Sequence, residues 1–395
     1  MAVCTGGQII FDASLSGGTI ALDQTLTIAQ DLTISGNVPI TVSGNDSVRV
    51  MVVTAGVVTL DSLSVVNGRA NSDGAGLHVH EGATVNLIDS TLAHHRATQG
   101  RVVGIYNEGT MLIKSSTISD NVTEDRNVVG GIWNSGVVSI ENSTISGNSG
   151  QHIGGILNGG QMTLLHVTVA DNSHGDGNSE IGGIANGGAL TLTNSISANN
   201  MSADCSSTGS EAVVTDGGHN LIEADAVDNA CGLVNGNNGN LVGVDPQLEP
   251  LANNGGATET HGLADTSQAT NAIATCSLAV DQRGVARPQG AACDMGAFEL
   301  EETAVSITLS MSSSGVLSWL PASGNGRTDS LYQEANPYAP TYQWLEDGTP
   351  WDYDTTASLA SVGNNYFYYV TVDCGAGAVE SNRVGEFTFA IVPGG

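Results

Sequence analysis

Residues 129–148 read V-G-G-I-W-N-S-G-V-V-S-I-E-N-S-T-I-S-G-N, and the chain repeats this frame. It returns as G-I-Y-N-E-G-T-M-L-I-K-S-S-T-I-S-D-N from Gly104, as G-G-I-L-N-G-G-Q-M-T-L-L-H-V-T-V-A-D-N from Gly154, and as G-G-I-A-N-G-G-A-L-T-L-T-N-S-I-S-A-N-N from Gly182. Leu77, Ile105, Ile132, Ile156 and Ile184 head successive copies, at steps of 28, 27, 24 and 28 residues. A period in the twenties that survives drift in loop length marks a solenoid. Inside each copy, short runs of alternating β-branched residues are separated by Gly and Asn, which reads as strands and corners. The expected fold is all-β, a parallel β-helix.

Counting from the heading isoleucine assigns roles by column. Asn107, Asn134, Asn158 and Asn186 stand two residues on, where stacked asparagines can bond one rung to the next, ~4.8 Å away. Ile118, Ile145, Val169 and Ile196 read as an inward core column. One residue after the heading position come His78, Tyr106, Trp133, Leu157 and Ala185; neighbouring an inward residue on a strand, they should point outward. Tyr106 and Trp133 would then lie side by side on an exposed face, a candidate surface for sugar rings or a partner, with His78 beside them. A covering loop or the C-terminal module is the alternative. Lys114 and Glu141 should face each other across adjacent rungs.

Composition fits. Aromatics are 4% and charged residues 13% of the 395, against 52 glycines. Ten basic residues against forty acidic ones give a formal charge of −30, which repels phosphate backbones and argues against nucleic acid as a partner. Cys205 and Cys231, and Cys276 and Cys293, are each spaced to clip one long loop, without metal-type C-x-x-C spacing, and suggest an oxidising compartment; Cys4 and Cys374 are left over. No apolar stretch reaches membrane-spanning length and no signal peptide is present, so an extracellular chain lacking its leader is expected.

Residues 1–70 read as looser coils with an N-terminal cap, and 201–250 as widened final coils. From Asp245 the chain carries D-P-Q-L-E-P-L-A-N-N-G-G-A-T-E-T-H-G-L (245–263) and D-Q-R-G-V-A-R-P-Q-G-A-A-C-D-M-G-A-F-E (281–299). These segments resemble the closing part of bacterial choice-of-anchor Q surface proteins, although Gln268-Ala269-Thr270-Asn271-Ala272-Ile273 replaces the Ser-Pro-Ala-Ile-Asp usual between them. The resemblance implies a right-handed parallel β-helix, like chlamydial polymorphic outer-membrane repeats, on a secreted or cell-surface protein. Residues 301–395, with Trp319 on an early strand and a Tyr-rich late one, look like a fibronectin III or immunoglobulin-like sandwich after a β-helix over 1–300.

Candidate chemistry is sparse. A lyase needs a base beside carboxylates; Arg69, Arg96, Arg101, Lys114 and Arg126 cluster with Asp120, Glu124 and Asp125, and solvated loop charges are the plainer reading. No Asp-Asp pair occurs, which weakens an inverting hydrolase. Asp171, His174, Asp176, Asn178 and Glu180 alternate in one loop as a calcium site would, and calcium is the ion such a loop takes. Asp347, Asp352 and Asp354 are a weaker set. His78 and His80 share a strand face, with His94 and His95 in the same coil, where a transition metal could be captured. The reading is a non-catalytic surface scaffold, adhesin or assembly subunit, partnered by itself or by glycans and other surface components. The rival readings are a carbohydrate-active enzyme and a glycan-binding protein.

Overall fold

The computed structural model describes residues 6–123, 129–175, 181–224 and 230–301, and beyond them the backbone of strands between Leu309 and Glu386. The chain divides into two compact units, 1–288 with 292–300 and 289–291 with 301–395.

The first unit is a parallel β-solenoid. Its coils stack into a broad fifteen-stranded sheet, a narrow eight-stranded sheet containing the heading isoleucines, and a short five-stranded sheet. Pairing between coils is parallel and in register: Ile105 lies beside Ile132, Tyr106 beside Trp133, and Asn107 beside Asn134. Cys205–Ser207 extends the narrow sheet, and Val213–Asp216, Leu221–Ile222 and Leu241–Val242 extend the broad one. Disulfides join Cys205 to Cys231 and Cys276 to Cys293. No helix among the described residues is long and apolar enough to cross a membrane.

Six successive rungs, from Val57–Val66 to residues 189–198, cross the broad sheet in two halves because one residue between them turns left-handed. These are Ser62, Asp89, Ser115, Asn142, His166 and Asn194, with φ from 42° to 56°. Short polar side chains tolerate that region better than β-branched ones do. The kink turns the following residue inward, and its hydroxyl takes a backbone N–H from the previous rung: Leu63 N donates to Ser90 Oγ, Ser90 N to Ser116 Oγ, and Ser116 N to Ser143 Oγ, at 3.0–3.1 Å. At the next corner His95 N donates to Asn121 Oδ1, Asn121 N to Asn148 Oδ1, Asn148 N to Asn172 Oδ1, and Asn172 N to Asn200 Oδ1. The third ladder runs through the amides of Asn107, Asn134, Asn158 and Asn186, each 2.9 Å from the next. Apart from half-buried Asn200 the three ladders are buried, and they satisfy polar groups inside an otherwise apolar core of Leu60, Leu87, Ile113, Ile140 and their neighbours. Each such fully buried side chain contributes ~1.5–3 kcal/mol.

The glycine before each heading isoleucine follows from this packing. A Cβ on Gly104 would fall 2.4 Å from the Gly131 carbonyl oxygen and 3.1 Å from the Asn121 amide, and Gly131 meets Gly155 O and Asn148 in the same way. Only a bare Cα lets the asparagine ladder and the next rung approach together.

The kink also moves one residue. Thr168 pairs with Ile196 and Val169 with Ser197, so Ile196 lies one place off the inward column to which its sequence neighbours point. Ser197 takes the column position, its hydroxyl donating to the Asp204 carbonyl, while Ile196 joins a second core with Leu221, Leu263, Ile273, Met295 and Phe298.

That second core belongs to residues 245–288 and 292–300, which fold back over the downstream half of the broad sheet. Thr117 Oγ1 donates to Glu259 O, Thr144 Oγ1 to Gln282 Oε1, and Thr168 Oγ1 accepts from Ala297 N. Gln282 Nε2 also donates to Thr117 Oγ1, and His261 Nε2 meets Ser146 Oγ at 2.8 Å. The closing motif is tied to itself as well. Asp281 accepts from the backbone of Arg283, Val285 and Glu299 and pairs with Arg283, whose guanidinium lies over the Phe298 ring. Arg287 pairs with Glu299 at 2.6 Å and donates to the carbonyls of Asp294 and Gly296, all of them buried.

Burial of two histidines should make the solenoid acid-sensitive. Where later rungs carry asparagine, His95 accepts the Gly68 N–H at Nδ1, and burial, outweighing the pull of the Val65 carbonyl, lowers its pKa from 6.5 to about 3. His166 is held at about 3 by burial and by facing Arg287. A ring neutral when folded but protonated when unfolded contributes stability that is full above the unfolded pKa and lost as pH falls toward the folded one. At pH 5 the loss is about 2 kcal/mol for His95. Urea midpoints at pH 7 and pH 5 should differ in the wild type and differ less in His95→Asn, whose amide oxygen can accept the Gly68 N–H. An equal fall in both proteins would place the sensitivity elsewhere.

In the second unit the strands pair antiparallel. One sheet joins Leu309–Met311, Val316–Trp319 and Asp352–Asp354; the other is five-stranded and centres on Thr328–Glu334 and Tyr366–Asp373.

Candidate functional site

The outward column of the narrow sheet runs Val52, His78, Tyr106, Trp133, Leu157 and Ala185 in register. It does not form the open aromatic face expected from the sequence. The segments returning to the narrow sheet carry Val102, Val129, Ile153 and Ile181, which bridge one another rung to rung and pack against Tyr106 as a small outer core. Tyr106 is 5% exposed, and Trp133 and Leu157 are half-buried. The two rings meet edge-on at 5.7 Å, and Arg101 lies over both, 5.1 Å from the Tyr106 centroid and 4.6 Å from that of Trp133. Asp73 holds Arg101 at 3.0 Å. A guanidinium on an aromatic ring occupies the surface on which a sugar would stack.

On the earlier rungs the same face is polar. His78 and His80, two residues apart, stack with centroids 4.3 Å apart. Glu108 follows Asn107 on the next rung, so it sits beside His80; its Oε2 lies 3.0 Å from His78 Nε2, and its Oε1 accepts the Tyr106 hydroxyl at 3.2 Å. Arg101 Nη2 donates to Tyr106 Oη at 3.0 Å. One ligand atom from each of His78, His80 and Glu108 lies within 4.8 Å of the others, and all three residues are half-buried. Burial lowers the pKa of His78 despite its bond to Glu108, with His80 and Arg49 adding like charge. Burial pushes Glu108 up, but the bonds from His78 and Tyr106 and the charge of both imidazoles hold it below the usual carboxylate range. No family model, curated protein or solved structure matches the chain. The geometry therefore carries the functional argument alone.

The other candidates are dispersed. Asp171 is exposed, 3.9 Å from His261, and His174 bonds Gly175 O and Ser202 Oγ; Asp176, Asn178 and Glu180 lie outside the described residues. So do Glu124, Asp125 and Arg126 of the basic cluster. Its remaining members separate: Arg69 and Arg96 are neighbours on the short sheet, Lys114 stands on the broad sheet beside Glu141, and Arg101 covers the aromatic pair. Asp347 belongs to a different sheet from Asp352 and Asp354. His95 is a ladder residue, and exposed His94 faces Asp120 at 3.9 Å. Cys4 and Cys374 lie outside the described residues. Glu108 was missed in the sequence although its signal was available: it stands three places after Ile105, as His80 does after Leu77.

Proposed function

We propose that the chain is an extracytoplasmic structural solenoid, acting as a scaffold, adhesin or subunit of a surface assembly, with the second unit a fibronectin III or immunoglobulin-like sandwich. The observation that carries this reading is what the closing motif does. Asp281, Gln282, Arg283, Arg287 and Glu299, which carry the resemblance to choice-of-anchor Q proteins, are all engaged in fastening residues 245–300 to themselves and to the coils. Two disulfides support an oxidising location.

The route to assembly is end-on. Gly7–Ile10 and Gly18–Ala21 each pair with Leu32–Ser43 on one side only among the described residues. Ile10 is 64% and Leu15 49% exposed there, next to a cleft of about 880 Å³ lined by Ile9, Leu26, Ile28 and Leu32. Apolar unpaired edges invite strand addition. Light scattering and electron microscopy of the full chain should show concentration-dependent end-linked oligomers, lost in Ile10→Lys and retained in Trp133→Ala. A strict monomer that releases sugars from a polysaccharide would overturn the reading in favour of an enzyme.

A further inference from the structure

We propose that His78, His80 and Glu108 form a binding site for a divalent transition cation of the zinc class on the outer face of the narrow sheet. The placement follows from strand geometry. Residues two apart on a strand project to one face, which puts both imidazoles on the same side, and the neighbouring rung lies ~4.8 Å away, which brings a carboxylate alongside. The result is two nitrogen donors and one oxygen donor with ligand atoms within 4.8 Å of one another. His78 Nε2 and Glu108 Oε2, at 3.0 Å, already have the separation of two ligands sharing one ion. Half-buried His80 completes the set, with a ligand nitrogen within 4.8 Å of both.

The donor chemistry selects the ion. Two imidazoles and one carboxylate suit zinc, copper(II) or nickel(II), whereas calcium and magnesium require oxygen ligands throughout. Three protein ligands leave a coordination position for water or an outside group. A second layer orients the carboxylate: Tyr106 donates to Glu108 Oε1, Arg101 donates to Tyr106, and Asp73 fixes Arg101. Outer-shell partners of this kind fix ligand orientation and typically change metal affinity 10–100-fold. Tyr106 thereby gains a role that sugar stacking does not supply. Tyr106 is the hinge between the guanidinium cover and the metal ligand.

Calorimetric titration of Zn2+ into the full, chelator-treated chain tests this. The expected result is one saturable site, weakened at least about ten-fold in His80→Ala, Glu108→Gln and Tyr106→Phe, unchanged in His94→Ala and His174→Ala, and not displaced by excess Ca2+. His80→Ala and Glu108→Gln alter half-buried surface groups, and unchanged circular dichroism spectra will show that they remain folded. The absence of saturable uptake, or equal uptake in wild type, His80→Ala and Glu108→Gln, overturns the proposal.

Discussion

Replacing Arg287 by alanine should cost the solenoid about 3–5 kcal/mol, because it leaves the Glu299 carboxylate buried without its cation. The same substitution strands the buried carbonyls of Asp294 and Gly296. The guanidinium is itself held below its normal pKa, chiefly by burial, which the three carboxylates around it only partly offset. Such a group is expensive to bury and more expensive to orphan, so the pair contributes less net stability than its removal would suggest. A double replacement, Arg287→Met with Glu299→Leu, should therefore recover part of the loss. Thermal denaturation measures both, and the single variant should melt on the order of ten degrees lower. Hydrogen exchange should place the damage in residues 245–300 before the coils. Lys114→Ala, beside Glu141 on the exposed surface, is the contrasting case and should cost under about 1 kcal/mol. If the two single variants behave alike, the closing segment is not pinned by Arg287.

Much of this was legible in the chain because a solenoid writes its contacts at fixed offsets. Ile132 and Trp133 each meet the residue one period away, so columns read from the sequence became neighbours in space. The reading failed where something other than the period sets position. Ile196 was assigned by matching isoleucine to isoleucine, but register is set by the left-handed residue, Asn194, and the strand resumes from there. The cover over Tyr106 depends on where the returning segment bearing Arg101 and Val102 folds, and nothing periodic encodes an arginine used once. The docking of residues 245–300 left a trace that could have been read. Outward positions on the downstream half of the broad sheet are Thr117, Ser119, Thr144, Ser146, Thr168 and Ala170, all uncharged, whereas the upstream half offers Asp61, Lys114 and Glu141. A face without charge in so acidic a chain is a face that something covers. Glu108 needed only the same column counting extended by one place.

Asn148→Ala is the second large effect expected, again about 3–5 kcal/mol, and it tests whether the ladder through His95, Asn121, Asn148 and Asn172 or the apolar core holds rung to rung. Asn148 Oδ1 accepts both the backbone N–H and the side-chain amide of Asn121, and its Nδ2 donates to Ile118 O and Asn172 Oδ1. Alanine keeps the Cβ and the backbone but leaves those groups in a site with no solvent exposure. Each buried polar group left without a partner costs about 1–3 kcal/mol, whereas the methylene-scale packing change is smaller. Ser139→Ala, on a half-buried outward position of the same rung, should change stability by less than about 0.5 kcal/mol. Because coils contact mainly their neighbours, the loss should be local: exchange protection should fall at Asn121 and Asn172 and persist around Leu60 and Val65. Asn148→Asp should be no better than alanine, since a carboxylate can accept from Asn121 but turns a negative charge toward Ile118 O and Asn172 Oδ1. A cost under about 1 kcal/mol for the alanine variant, or protection lost evenly along the solenoid, would shift the credit to the columns of Ile and Val.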